Sequence, residues 1–219
     1  MTDLTVSILV IACTGVTAAL IFLLVGKRKQ SRERAIEDYC RANSYSCSIA
    51  REPLRIDRCV EGASFTLISS MVSQRLDENT GSSGWKKSTQ LTVRYVQDAP
   101  SFTLGSIPAA GDWEQLPDWI KHAAMEKLMH ESGIILQTGN VQPLHITGKS
   151  TYLLFEQIPG ESCDTIQRLS PLLSEWPAQY KLVIHSGPAE IRIHVADCFI
   201  QDAELLEKLV RLGAAAGGM

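Results

Sequence analysis

From Leu4 to Val25 the chain runs LTVSILVIACTGVTAALIFLLV, 22 residues without a charge. As a helix rising ~1.5 Å per residue, that run would span about 33 Å, close to the roughly 30 Å hydrocarbon core of a bilayer. No other stretch of the sequence approaches it. The expectation is an N-terminal transmembrane anchor over residues 1–26. A cleaved signal peptide fits less well, because Met1 to Thr5 carry no Lys or Arg and the run ends in the bulky Leu23, Leu24 and Val25. Val10-Ile11-Ala12-Cys13 resembles a lipoprotein cleavage box, yet 12 further uncharged residues follow Cys13. Gly15 with Ala19, and Thr14 with Ala18, are small residues four apart, a spacing that lets two helices approach closely.

Charge sets the orientation. Lys27, Arg28, Lys29, Arg32 and Arg34 crowd the C-terminal flank of the uncharged run, and no basic residue precedes it. Basic flanks stay in the cytoplasm. The expected arrangement therefore has the N-terminus outside and the remainder cytoplasmic, with these five residues as topology determinants; attraction of anionic lipid by the same collar is the alternative. Five of the 21 basic and two of the 24 acidic residues fall in positions 1–34, leaving 16 and 22 for positions 35–219, a net charge of -6. An acidic body argues against nucleic acid as a partner.

The six cysteines are Cys13, Cys40, Cys47, Cys59, Cys163 and Cys198. They include no C-x-x-C pair, so a zinc site is not expected, and a disulfide scaffold is not expected in a body this large. Reduced thiols in a cytoplasmic body are the natural reading.

Residues 27–44 read as a basic juxtamembrane stalk, helical and continuous with the span. A β-rich subdomain is expected over 45–107, with strands near 46–50, 54–60, 64–76, 88–96 and 102–106. The alternation of Phe65, Leu67, Ser69 and Met71 and of Leu91, Val93 and Tyr95 carries this reading. The polar stretch from Asp77 to Lys87 reads as a long hairpin loop. An α+β subdomain follows over 108–213, ahead of a flexible tail at 214–219. It should hold a helix from Pro117 to about Ser132, strands at 134–137, 141–147 and 151–158, and a helix at 164–176 split by Pro171. A hairpin over 180–195, an edge piece at 198–201 and a final helix from Asp202 complete it. Strands in runs joined by tight turns give an α+β class with a mainly antiparallel sheet and about three packed helices.

Chemistry is harder to find. Gly148-Lys149-Ser150 ends like a phosphate-binding loop, but position 143 is Pro and a strand follows, so a hairpin turn explains it better. His185 and His194 would share a sheet face with Lys181 and Arg192, which suits a solvated polar face better than a metal. Cys198 near His194 lacks an orienting third group, and His122 and His130 are eight apart, so neither pair reads as a site. No catalytic, metal or cofactor-binding residue is nominated. Trp85, closing the polar loop, is a candidate partner contact. Trp113, Trp119 and Trp176 are expected in the core. The function expected is a membrane-anchored binding, scaffold or assembly module whose partners are the lipid bilayer and a protein or a second copy of the chain. A membrane-tethered enzyme with a site between sheet and helices is the alternative.

Overall fold

The computed structural model describes residues 2–49, 53–60, 63–75, 83–95, 101–108, 117–121, 123, 126, 140–144, 150–156 and 160–218. The chain begins with one helix, α1 (Thr2–Ala42), about 62 Å long at ~1.5 Å per residue. Among the described residues nine strands follow: β1 (Ser46–Ser48), β2 (Leu54–Val60), β3 (Ala63–Arg75), β4 (Ser83–Tyr95), β5 (Phe102–Pro108), β6 (Asn140–Leu144), β7 (Ser150–Glu156), β8 (Lys181–Ser186) and β9 (Glu190–Ala196). Among the described residues a helical stretch at 118–121, 123 and 126 lies between β5 and β6, and two longer helices, α2 (Cys163–Ser174) and α3 (Ala203–Ala216), flank the β8–β9 hairpin in sequence. The class is α+β, and every strand pair is antiparallel.

The strands form one sheet in the order β1-β2-β3-β4-β9-β8-β5-β7-β6. Its seam is β4 against β9, with Leu91 opposite Ile193 and Val93 opposite Ile191. The sheet thus runs without a break from residues 46–95 into the later strands. Alternation decides which face is buried: Phe65 and Leu67 of β3, Leu91 and Val93 of β4, and Ile191, Ile193 and Val195 of β9 all join the main core. The helices cover that face. Leu205, Leu209 and Leu212 of α3, Ile166, Leu169 and Leu173 of α2, and Ile36 and Cys40 of α1 complete the core. Further along the sheet both faces are buried, since Leu153, Phe155 and Val183 are as enclosed as their neighbours Tyr152, Leu154 and Ile184.

Several local expectations need correcting. Pro171 does not split α2. Leu169 and Leu173 on either side of it are both buried, and only one turn follows the proline, so packing offsets the lost backbone bond. Residues 83–87 are strand rather than loop, because the β3 ladder continues to Ser83 opposite Arg75 and pairs Trp85 with Ser73. The 198–201 segment is no edge strand. It crosses the buried face, held by side chains: the Thr89 hydroxyl donates to the Cys198 carbonyl (3.0 Å), and the Ile200 amide donates to Ser69 Oγ (2.9 Å).

The cysteine expectation is corrected too. Cys40, in the last turn of α1, is bonded to Cys47 of β1 across a left-handed turn at Ser44, with Cα atoms 6.3 Å apart. Trp176 lies in the core as expected, but Trp119 is 72% exposed. Residues 118–121, 123 and 126 of the expected 117–132 helix are helical. The expected strand at 134–137, Trp113, His122, His130 and the Gly148-Lys149 turn lie outside the described residues.

The transmembrane expectation stands differently. Among the described residues no helix is long and apolar enough to cross a membrane. Side chains in α1 are described only from Cys13 onward, whereas the uncharged run begins at Leu4.

Candidate functional site

The expected basic residues all sit on α1, and helical geometry divides them between two faces. Lys27 and Arg34 lie with Gln30, Ser31 and Asp38 on the outward face. Arg28, Lys29 and Arg32 fall with Val25, Glu33 and Ile36 on the face turned toward the sheet. Those six positions follow the three- and four-residue spacing of a single helical stripe. At the C-terminal end of the stripe Ile36 is 3% exposed and packed into the core, whereas Arg28, Lys29 and Val25 are exposed. The helix touches the sheet at one end and stands clear of it at the other.

The space between is a groove of about 550 Å3. Ile49, Leu54 of β2, Met71 of β3 and the Phe199–Gln201 crossing segment form its opposite wall. Apolar side chains make the floor. Arg28, Lys29 and Arg32 line the helix side of it, and Glu33 is the carboxylate among the described lining residues. Lys29 Nζ is 3.9 Å from Glu33, a loose exposed pair of little energetic weight. Arg32 Nη1 donates to Gln201 Oε1 at 2.9 Å, the polar strap between helix and crossing segment.

Trp85 belongs to the neighbourhood of this groove. Met71 pairs with Lys87 and Ser73 with Trp85, so Trp85 shares the helix-side face of the sheet and lies about 7 Å beyond the groove wall along the strand. Leu67, earlier on β3, shares a small cavity with Tyr39, while Met71 shares the groove with Val25. β3 and α1 therefore run in opposite directions, and the β3–β4 hairpin extends toward the Val25 end of the helix. Trp85 is 64% exposed there, with Val72 exposed on the other face.

Below the groove, a Tyr39–Tyr45 stack (centroids 6.2 Å apart) carries Arg58 over the Tyr45 ring at 5.0 Å. Burial pushes the Tyr39 hydroxyl up to about 12. The cluster fixes the junction of α1 with the body.

The remaining candidates separate in space. His185 and His194 do share the sheet face away from the main core, but Val183 stands opposite His194 and Arg192 opposite His185. His185 Nδ1 lies 2.9 Å from the Thr103 hydroxyl. Cys198 is buried in the core on the opposite side, and burial pushes its thiol up to about 11, which keeps it protonated and unreactive at neutral pH. Among the described residues no group of three or more His, Cys, Asp or Glu could hold a metal ion.

Sequence reasoning found the cationic side of the groove and missed its apolar side. One signal was available: Ile36, Tyr39 and Cys40 form an i, i+3, i+4 apolar stripe inside the charged stalk. The rest comes from distant segments.

No protein family model and no curated protein matches the chain. A solved structure to which it is similar is the crystal structure of the mycobacterial trehalose monomycolate transport factor A, TtfA. The TM-score is 0.44 at 5% identity, covering 85% of this chain and 93% of that one. At that score the likeness carries no argument about function.

Proposed function

We propose that the chain is a single-pass membrane protein whose α+β body is a binding or assembly module held against the membrane surface. The N-terminus lies outside and the body lies in the cytoplasm. One observation carries the reading: α1 is a single helix from Thr2 to Ala42, with the uncharged run at one end and Ile36 and Cys40 in the body's core at the other. One continuous helix joins anchor and body, so the body is held close to the bilayer. Lys27, Arg28, Lys29, Arg32 and Arg34 fall at the headgroup level and determine topology. Trp85, on a hairpin extending toward that level, suits the membrane interface or a protein partner docked there, including a second copy of the chain. The charge bias supports a cytoplasmic body. The Cys40–Cys47 bond pulls the other way, since disulfides persist in oxidising compartments.

Alkaline extraction and protease protection test both parts. The full chain should stay in the membrane pellet at alkaline pH, and protease should reach residues 35–219 only after the cells are permeabilised. Release into the supernatant would sink the anchor. Digestion in intact cells would reverse the orientation.

A further inference from the structure

We infer that the groove between α1 and the sheet binds one anionic lipid molecule drawn from the surrounding bilayer; this rests on the membrane-anchored reading above. Three features of the groove select that occupant. The first is size: about 550 Å3 lies within the ~300–1,000 Å3 typical of small-molecule sites. The second is the division of its lining. Leu54, Met71 and Ile200 offer an apolar floor suited to an acyl chain, and Arg28 and Lys29 offer exposed cations suited to a phosphate headgroup. The third is position. Val25 is both the last residue of the uncharged run and part of the groove's lining. The open end therefore meets the boundary between hydrocarbon and headgroups, and a lipid reaches the floor without its chain crossing water.

The cations are available for this work. Arg32 is occupied by Gln201, but among the described residues Lys29 has only the loose contact with Glu33. Counting Glu33, the described lining carries a formal charge of +2. A neutral lipid would leave that charge uncompensated beside an apolar floor, whereas an anionic headgroup neutralises part of it.

Photocrosslinking tests the assignment. The full chain is reconstituted into nanodiscs of phosphatidylcholine containing a small fraction of phosphatidylglycerol with a diazirine at the end of one acyl chain. Labelled positions are mapped by mass spectrometry, and a phosphatidylcholine carrying the same diazirine serves as the neutral probe. Label is expected on peptides bearing Leu54, Met71 or Ile200 as well as on the 4–25 segment, and more from the anionic probe. The exposed pair Arg28→Gln and Lys29→Gln should lower groove labelling severalfold and leave the 4–25 label unchanged, which also reports that the chain remains inserted. Met71→Trp, which fills the groove, should do the same. Label confined to 4–25 would overturn the lipid site and leave the anchor standing. Equal groove labelling by the two probes would overturn the choice of an anionic headgroup. Failure of the chain to enter nanodiscs would overturn the anchored reading itself.

Discussion

Ser69 and Thr89 face each other across β3 and β4 with their hydroxyl oxygens 2.8 Å apart, both fully buried. The partners fix the proton order. The Ile200 amide donates to Ser69, Ser69 donates to Thr89, and Thr89 donates to the Cys198 carbonyl. Two side chains in the middle of an apolar sheet face thereby satisfy two backbone groups of the crossing segment that walls the groove, the Cys198 carbonyl and the Ile200 amide. Thr89→Val keeps the shape and removes the relay, leaving the Cys198 carbonyl and the Ser69 hydroxyl without their partner. The expected cost is about 1–3 kcal/mol. Denaturant unfolding should show that loss, and hydrogen exchange at the Ile200 amide should quicken before the rest of the sheet. An unchanged exchange rate at Ile200 would show that the relay does not hold the segment.

Gly213 of α3 is pressed onto β4. A Cβ there would come within 2.8 Å of Leu91 Cδ2 and 3.0 Å of Val93 Cγ2. Gly to Ala inside an exposed helix gains roughly 1 kcal/mol. Here both neighbours are buried and cannot swing away, so Gly213→Ala should destabilise the fold by about 1–3 kcal/mol through overpacking. The sign is the test. A higher melting temperature for the variant would mean that α3 sits further from β4.

Burial pushes His185 below its ordinary value of 6.5, Arg192 lowers it further, and Glu190 opposes them. Arg192 pairs with Glu190, which Arg94 also holds at 3.3 Å, so the carboxylate is shared. Because its folded value is depressed, the unfolded chain takes up this proton more readily than the folded one. Stability from this group is complete at neutral pH. It falls as the pH drops through 6.5 and levels off once the pH is below the folded value. His185→Asn, measured by thermal unfolding between about pH 7 and 5, should flatten that slope. An equal slope in both proteins would assign the dependence to other groups.

The Cys40–Cys47 bond closes a loop with a sequence separation of 7 between α1 and β1. Loop entropy gives it about 2.5 kcal/mol. Cys47→Ser should lower the melting temperature of the detergent-solubilised chain, and reductant should lower the wild type equally while leaving the variant unchanged. If the body lies in the cytoplasm, rapid alkylation of intact cells should trap the pair as thiols. Recovery of the pair as a disulfide would agree with a body on the oxidising side.

The sequence was most legible where one period dominates over several residues. Alternation located β3, β4 and β9, and the helical four- and three-residue spacing of Leu205, Leu209 and Leu212 located α3. Composition misled at Ser83 to Lys87, where Gly and Ser read as loop although a partner strand supplies the ladder. The position of β5 between β8 and β7 left no local trace, because strand order is set by pairings across long separations. The groove was half legible for the same reason. Its cations lie together in sequence, whereas Leu54, Met71 and Ile200 meet only through the sheet and the hydroxyl relay.

The walls of the groove are made at different times: the α1 residues Val25 to Ile36 precede every strand, and Phe199 to Gln201 follow β9. The seam strand β4 likewise waits for β9, with Arg94 and Glu190 96 positions apart. On the ribosome the helix can form and the first hairpins pair well before the groove exists, since pairings this distant form late. Until β9 and α3 emerge, the apolar faces of β3 and β4 stand uncovered. A chain truncated before residue 190 would therefore lack both the sheet's seam and the crossing segment of the groove's wall, and it should be a target for quality-control proteolysis rather than a partly working protein.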